Sequence, residues 1–289
     1  MGDRRKILQR VGLYVLVLLI LVWTLGPFIW LFLTSISTQA KLNTIPIQWL
    51  PSPPTFEHYQ AMFDPTSSTG ALFLAAMRNS LIIASSTTIV CLIFGVLAAF
   101  SLARFSFRGR NALIMGMLAT RLLPTIALAV PFYVLIVGYV ERVAPMYDTR
   151  HNLVILYTSF IIGLVVWIMQ GYFQTIPKDL DEAAMVDGCT RFQALTRVIL
   201  PLVTPGLVTT GLLAFLLAWD EFLLALIFTR TSNAFTMPYF VFIVGSSQYY
   251  QSPAAVAAGG FMAALPPVIL ALVFQNRLVS GLTAGAVKG

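Results

Sequence analysis

The chain has 289 residues, of which 58% are hydrophobic and only 10% are charged; an ordinary soluble domain has roughly 25% charged residues. Its formal net charge is +7 at pH 7 and its mean hydropathy is +0.85. These values exclude a water-soluble globule. Because the charged residues fall mostly in short gaps between apolar runs, the basic excess indicates membrane orientation rather than nucleic-acid binding.

Six apolar stretches are long enough to cross a bilayer, since about 20 helical residues span a hydrocarbon core of roughly 30 Å. We therefore predict an all-α membrane protein with transmembrane helices at residues 11–33, 80–102, 112–140, 153–173, 207–228 and 254–274. The first stretch has 23 residues, whereas the core of a signal peptide has roughly 7 to 15. We expect it to remain as an anchor. The apolar run at 235–244 is too short to span.

The distribution of basic residues predicts the orientation of these helices. The N-terminus, the second and fourth connecting loops and the C-terminal tail together carry 12 Lys and Arg residues, whereas the opposite side carries 5. Basic side chains resist translocation across the membrane. Both termini are therefore predicted to be cytoplasmic.

The longest predicted cytoplasmic loop, residues 174–205, is polar but contains signals for two short helices. Pro177 suits the first position of a helix, and three acidic residues follow in the first turns, where the helix dipole favours negative charge. Gly188 is expected to end the first helix. Thr190 and Gln193 form a capping-box pattern that starts the second helix.

Each of these two helices carries an apolar stripe at helical spacing. The stripes are Leu180, Ala183 and Ala184 in the first helix, and Phe192, Leu195 and Ile199 in the second. Two adjacent alanines make a narrow, smooth face that suits a groove in another protein. The same face could instead pack against the chain's own spans, and the spacing leaves both possibilities open.

The same loop resembles the EAA motif of ABC importer permeases. The matching residues are Glu182-Ala183-Ala184, Gly188 after three residues, and Val198-Ile199-Leu200-Pro201 after nine more. The family usually has Ile where Val198 stands. The surrounding IPKDLDEAAMVDG and LPLVTPG segments are similar to the carbohydrate-uptake branch, of the maltose and trehalose type.

This resemblance implies a type I importer permease with the MetI-like fold. It implies a peripheral first span (residues 1–34), a conserved core of five spans (72–280) that contains the coupling loop (174–205), and a cytoplasmic tail (281–289). The coupling loop would fit a cleft on a cytoplasmic ATPase subunit. The implied ATPase-coupling residues are Glu182, Ala183, Ala184, Asp187, Gly188, Leu200 and Pro201.

Two further segments are similar to maltose-type permeases and imply partner contacts. The C-terminal tail would reach between two ATPase subunits through Gly285, Val287, Lys288 and Gly289. The loop between spans five and six would enter an external sugar-binding protein as a scoop, with Gly245, Ser246, Ser247, Gln248, Tyr249 and Tyr250. The implied partners are these proteins, a second homologous permease subunit and membrane lipid, but no nucleic acid.

Charged residues within the predicted spans are candidates for the translocation path. Arg121 lies about 14 Å into the third span by helix rise, and we expect it to face the protein interior. It could form a structural pair, contact the sister permease, line the path or snorkel. Trp219-Asp220-Glu221 is similar to the family's WND segment, with Asp220 replacing the usual Asn. Interfacial solvation and solute contact explain these two acids equally well.

Other chemistry is missing from the sequence. It contains no GxxxxGK[ST] loop, so we predict that it is not an ATPase, binds no cofactor itself and relies on ATP and Mg²⁺ held by partner subunits. His58 and His151 stand without an HExxH pattern, and no metal site is predicted.

The predicted function is therefore a non-enzymatic permease subunit of a sugar importer in the inner membrane of a prokaryote. One alternative is a related permease for glycerol phosphate or a polyamine. An ion-coupled secondary transporter would need inverted repeats and midplane carboxylates. A membrane scaffold would leave the EAA spacing unexplained.

Overall fold

A computed structural model of the chain describes residues 2–45, 49–246 and 252–286, and these residues contain helices and loops but no β-strand. The chain forms two compact units. The first comprises Met1–Leu74 and Phe240–Leu265, and the second comprises Ala75–Tyr239 and Pro266–Gly289. The coupling loop lies wholly within the second unit.

The α-helices follow one another along the chain with short connections. They are α1 (Gly2–Ser35), α2 (Gln39–Leu42), α3 (Glu57–Phe63), α4 (Ser68–Arg104), α5 (Arg110–Ala119), α6 (Thr125–Gly138), α7 (Arg150–Thr175), α8 (Asp179–Val186), α9 (Arg191–Ala194), α10 (Leu200–Leu202), α11 (Thr204–Trp219), α12 (Leu223–Phe228), α13 (Met237–Ser246) and α14 (Pro253–Ala286). Two 3₁₀ turns, Thr120–Leu122 and Val140–Arg142, and a π-helical turn, Leu195–Ile199, complete the described helices.

Four of the six predicted spans are confirmed as continuous helices. The first, second, fourth and sixth lie within α1, α4, α7 and α14. By length and hydropathy, the described residues contain five helices able to cross a bilayer, or six if the bent pair formed by Arg191–Leu202 and Thr204–Trp219 is counted as one. Helix α13 has 10 residues and is too short to span, as predicted.

The third predicted span, 112–140, is not one helix. Helix α5 ends at Ala119, a 3₁₀ turn follows, and α6 begins at Thr125. Leu123 is extended, with φ −75° and ψ 124°, because the ring of Pro124 disfavours the helical conformation of the preceding residue and supplies no N–H donor. Hydropathy predicted one span over residues 112–140, whereas the helix is interrupted at this proline.

The fifth predicted span, 207–228, is also interrupted. Helix α11 ends at Trp219 and α12 begins at Leu223. The Glu221 carboxylate accepts hydrogen bonds from the backbone N–H groups of Leu224 at 3.1 Å and Ala225 at 3.3 Å. These groups are first-turn donors without partners inside the helix, so Glu221 stabilises a second helix start within the apolar stretch.

In the first unit, α1 is tied to the loop that follows it. The hydroxyl groups of Ser35 and Tyr59 are 2.6 Å apart, and the Thr55 N–H donates to the Ile36 carbonyl at 2.8 Å. None of the most hydrophobic 18-residue window of α1 is buried within the chain. Its apolar side chains are therefore available to lipid or to another subunit, and the peripheral role of this span stays a prediction.

Helix α7 forms the centre of the second unit, where it packs against α5, α11 and α12. Its residues Leu153, Tyr157, Met169 and Phe173 are almost fully buried. A Cβ atom added at Gly163 would lie 2.9 Å from the Met117 carbonyl of α5. Small residues let membrane helices approach closely and gain dispersion contacts, so α5 and α7 depend on glycine at this position.

Asp148 joins two loops of the second unit. Its carboxylate accepts hydrogen bonds from the backbone N–H groups of Arg230 at 2.8 Å and Thr231 at 3.1 Å, and from the Thr231 hydroxyl at 2.5 Å. Its own N–H donates to the Phe228 carbonyl at 3.1 Å. Asp148 adopts a φ of 58°, a left-handed conformation that Asp tolerates better than most residues.

We expect Asp148→Ala to destabilise the protein by about 1 to 2 kcal/mol, since it removes the charged acceptor of three hydrogen bonds and leaves alanine in a left-handed conformation. The thermal unfolding midpoint in detergent should fall by a few degrees. Asp148→Asn, which keeps an acceptor oxygen, should lower the midpoint by less. The control is Asp64→Ala, because the exposed Asp64 carboxylate accepts hydrogen bonds from its near neighbour Thr66. Equal midpoints for Asp148→Ala and wild type would contradict this assignment.

Candidate functional site

The coupling loop folds as two short helical segments between α7 and α11, which confirms the prediction from its punctuation. Helix α8 begins at Asp179 and carries three acidic residues in its first turn, where their negative charge interacts favourably with the positive end of the helix dipole. Pro177 was predicted to occupy the first helical position. It lies instead two residues before α8, and Lys178 is the N-cap.

Gly188 ends α8 in a left-handed conformation, with a φ of +89°. The Gly188 N–H donates to the Met185 carbonyl at 3.1 Å, and the Cys189 N–H donates to the Ala184 carbonyl at 3.0 Å. This pair of bonds is the Schellman motif, which satisfies the last carbonyl groups of a helix. A Cβ atom at Gly188 would meet nothing within 4 Å, so the backbone conformation alone requires glycine.

Thr190 starts the second helical segment through the predicted capping box. Its hydroxyl accepts from the Gln193 N–H at 3.3 Å, and the Gln193 side chain accepts from the Thr190 N–H at 2.8 Å. The two helices are thus separated by the four residues Asp187 to Thr190, with the sharp turn at Gly188. Local hydrogen bonds stabilise this turn on both sides.

The second segment then passes through a π-helical turn, Leu195–Ile199, before α10. Residues Arg191–Leu202 bend by 84° from Thr204–Trp219. Leu200 is half-buried and Pro201 is exposed on α10, immediately before this bend. Two of the predicted coupling residues therefore lie where the coupling loop turns into α11.

The two apolar stripes are divided between the chain's own interior and its surface. Ala184, Leu195 and Ile199 are buried, with exposed fractions of 6%, 2% and 0%. The other members of the stripes, and the acids beside them, are exposed: Leu180, Glu182, Ala183, Asp187, Phe192 and, next to them, Val186. Of the two possibilities that the spacing left open for the alanine pair, Ala184 packs against the chain itself, whereas Ala183 and Glu182 are exposed.

Sequence reasoning missed Arg104, the last residue of α4, which joins three helices. Its Nη1 donates to the carbonyls of Phe173 at 3.1 Å and Ile176 at 3.0 Å, at the end of α7. Its Nε lies 2.5 Å from Oδ2 of Asp181 on α8, and the two side chains are 7% and 13% exposed. The only signal in the sequence was a basic residue at the end of an apolar run.

The environment of this ion pair is partly desolvated. Burial raises the pKa of the Asp181 carboxyl, and the neighbouring Arg104 guanidinium opposes that rise. A cavity of about 130 Å³ adjoins the pair and is lined by Phe100, Arg104, Lys178, Asp181, Glu182, Met185, Arg191 and Ala194. The Arg104–Asp181 ion pair therefore holds α8 close to the end of α4, and the cavity lies beside this contact.

The four predicted translocation-path residues lie at the two helix breaks. Arg121 is exposed on the 3₁₀ turn between α5 and α6 and not within a continuous helix, and its expected place facing the protein interior stays a prediction. The Pro124 break places it outside regular helix. Trp219 is buried and stacked on Phe215 at 5.6 Å, and Asp220 is exposed. Contact of these residues with solute stays a prediction.

Two predicted partner-binding segments are only partly described. Gly245 and Ser246 end helix α13, whereas Ser247, Gln248, Tyr249 and Tyr250 lie outside the described residues. Gly285 belongs to the last turn of α14, and Val287, Lys288 and Gly289 lie outside the described residues. The roles of the scoop and the tail stay predictions.

The fold is similar to that of a solved membrane transporter. It matches a chain in the crystal structure of a bacterial ABC transporter involved in the import of the acidic polysaccharide alginate. The match has a TM-score of 0.76 at 23% sequence identity, and it covers 94% of this chain and 97% of that chain. At this identity the similarity establishes the fold.

Sequence comparisons identify the family. The chain is 36% identical to the trehalose transport system permease protein SugB of Mycobacterium tuberculosis, over 94% of this chain and 95% of that protein. It is also 36% identical to the trehalose/maltose transport system permease protein MalG of Thermococcus litoralis, over 99% of each. Residues 91–283, including the whole coupling loop, match the family described as binding-protein-dependent transport system inner membrane component. The chain therefore belongs to this family of ABC transporter permease subunits.

Proposed function

We propose that this chain is one of two membrane subunits of an ATP-driven importer that takes up a disaccharide or oligosaccharide. The observation that carries the proposal is the geometry of the coupling loop. Its short helix α8 contacts the rest of the chain through Ala184 and Asp181 and leaves Glu182 and Ala183 exposed; we propose that these two residues meet the ATPase. Two curated relatives named for trehalose or maltose transport support a sugar as the solute.

The chain works with proteins that supply what it lacks. An external sugar-binding protein delivers solute to the outer loops, and two cytoplasmic ATPase subunits hold ATP and Mg²⁺. The absence of a GxxxxGK[ST] loop from the sequence supports this division of roles. The excess of Lys and Arg in alternate loops supports both termini, and the coupling loop, in the cytoplasm of a prokaryote.

Transport follows from a change between two states of the membrane helices. ATP binding closes the ATPase dimer, and the exposed face of α8 moves with the ATPase cleft in which it sits. Because Asp181 of α8 is ion-paired to Arg104 at the end of α4, and Arg104 donates to two carbonyls at the end of α7, movement of α8 becomes a rigid-body shift of those spans. The solute cavity between the membrane spans then changes from inward-facing to outward-facing. Such coupling requires partners that bind the two states with different affinity.

The test is reconstitution in lipid of this chain with its candidate sister permease, ATPase and binding protein. Trehalose and maltose are the positive probes, and glycerol phosphate and a polyamine are the alternatives. We expect at least one sugar, with its binding protein, to stimulate ATP hydrolysis several-fold and to enter ATP-loaded vesicles. Uptake of glycerol phosphate or polyamine without sugar uptake would overturn the sugar assignment. Uptake driven by an ion gradient without ATP would overturn the assignment as an ATP-driven importer.

A further inference from the structure

The Arg104 guanidinium occupies a position that no coupling motif assigns. It lies at the cytoplasmic end of α4 in the proposed orientation and contacts two other elements, the end of α7 and the first turn of α8. Each contact uses a different part of the side chain, Nη1 for the α7 carbonyls and Nε for Asp181. A planar guanidinium has several donors in a fixed fork and can make both contacts at once, whereas an ammonium group is a compact point charge.

The contacts on α7 are to backbone rather than to side chains. Phe173 and Ile176 lie at the C-terminus of the helix, where carbonyl groups lack partners within the helix and carry partial negative charge. The Nη1–oxygen distances are 3.1 Å and 3.0 Å. Arg104 therefore fastens the end of α4 to the end of α7 independently of which side chains α7 carries.

The contact on α8 is a single ion pair with little access to water. Asp181 is 13% exposed and the Arg104 side chain is 7% exposed. Water screens such a pair far less than an exposed one. Asp181 lies next to Glu182, the acid of the motif, so a displacement of the exposed face of α8 acts directly on this ion pair.

We propose that Arg104 is a positioning residue for energy coupling: through Asp181 it makes α8 move as one body with the ends of α4 and α7. This inference rests on the proposed function, because it assigns a mechanical role within that coupling. It differs from the roles implied for the motif residues, since Arg104 and Asp181 face the chain's own helices. They transmit the movement that the partner imposes on Glu182.

The first test compares paired variants in the reconstituted complex, using whichever probe sugar the wild type transports. Arg104→Gln removes both contacts, Asp181→Asn removes the ion pair alone, and the double variant removes both again. We expect each to assemble and to hydrolyse ATP within about twofold of wild type, with sugar taken up per ATP falling at least about fivefold. The double variant should be no worse than Arg104→Gln, because residues of one network are not additive.

Matched controls come from the same segments. Arg108→Gln alters an exposed arginine four positions further along, and Asp179→Asn alters an exposed acid of α8; both should transport like wild type. A merely structural role for Arg104 would reduce the amount of assembled complex and leave the uptake per ATP unchanged, and that result would overturn the proposal. If Arg104→Gln fails to assemble, Asp181→Asn decides the question alone.

A second measurement does not depend on the solute. Spin labels are placed at Gln174, after the Phe173 carbonyl that Arg104 contacts, and at the exposed end of α8, Val186, with Cys91 and Cys189 replaced. In the complex we expect the interlabel distance to stay within about 2 Å between nucleotide-free and ATP-trapped states. In Asp181→Asn the distribution should broaden or shift by more than that. A shift in wild type as large as in the variant would overturn the proposal.

The two proposals fail in different ways. If the wild-type complex takes up no sugar and sugar does not stimulate its ATPase, the proposed function fails, while the spin-label comparison still decides whether α8 and α7 move together. If the wild type transports sugar and Arg104→Gln and Asp181→Asn transport equally well per ATP, only the role of Arg104 and Asp181 fails.

Discussion

Gly188→Val is expected to reduce coupled uptake strongly while leaving an assembled complex. Gly188 holds a φ of +89°, and a β-branched residue in the left-handed region costs about 1 to 3 kcal/mol. That strain is relieved if the Schellman bonds to Met185 and Ala184 break and the angle between α8 and α9 changes. Since about 1.4 kcal/mol corresponds to tenfold in a rate, this cost corresponds to a fall in uptake of about 5-fold to about 150-fold.

The chain offers a closely matched control for this substitution. Gly109 has a φ of +88°, and like Gly188 it has nothing within 4 Å of an added Cβ atom. Gly109→Val therefore imposes the same backbone strain outside the coupling loop. We expect Gly109→Val to keep most uptake, and Gly188→Asn to lie between wild type and Gly188→Val because Asn tolerates the left-handed conformation. Normal transport by Gly188→Val would show that the turn at Gly188 has no role in coupling.

Charge reversal at Glu182 is the second change with a large expected effect. The Glu182 side chain is exposed on α8, so Glu182→Lys should leave the fold intact and act on whatever partner meets this face. Removing an interface contact of this kind costs about 2 kcal/mol or more when it lies at the centre of the interface. We expect copurification of the ATPase, or sugar-stimulated ATP hydrolysis, to fall at least about tenfold.

Asp179→Lys separates this effect from a general effect of charge on α8. Both acids lie in the first turn, where a basic residue opposes the helix dipole at a cost of about 0.3 to 1 kcal/mol. The shared dipole cost therefore cancels in the comparison. If Glu182→Lys assembles and responds to sugar as well as Asp179→Lys and wild type do, Glu182 has no coupling role.

The features of the coupling loop that the sequence predicted are those that depend on near neighbours. The Schellman turn at Gly188 joins residues at most five positions apart, and the capping box of Thr190 and Gln193 joins residues three apart. Side-chain chemistry determines such contacts wherever the segment lies. The same holds for the start of α8 among acidic residues.

The spacing of residues along the sequence did not predict contacts between residues that are far apart in the chain. Arg104 meets the Phe173 and Ile176 carbonyls across separations of 69 and 72 residues. No periodicity within α4 indicates which helix end lies opposite its last residue. The division of the alanine pair, with Ala184 buried and Ala183 exposed, likewise depends on which element covers α8.

Helix breaks inside apolar stretches show the same limit. Hydropathy gave residues 112–140 and 207–228 as spans because composition measures how well a segment dissolves in lipid, not whether its backbone is continuous. The breaks at Pro124 and at Glu221 were resolved only by backbone dihedrals and by the hydrogen bonds of the Glu221 carboxylate. The break at Pro124 also places Arg121 on a 3₁₀ turn, whereas hydropathy had placed it within a continuous span.

The sequence by itself determined that this is a helical membrane protein of the permease family, and where its coupling loop lies, because hydropathy, capping chemistry and motif spacing are properties of contiguous residues. Only the tertiary structure decided which face of α8 is free for a partner, where the third and fifth apolar stretches are interrupted, and that Arg104 joins α4, α7 and α8. Those outcomes depend on burial and on donor–acceptor pairs formed between segments far apart in the chain, which folding alone brings together.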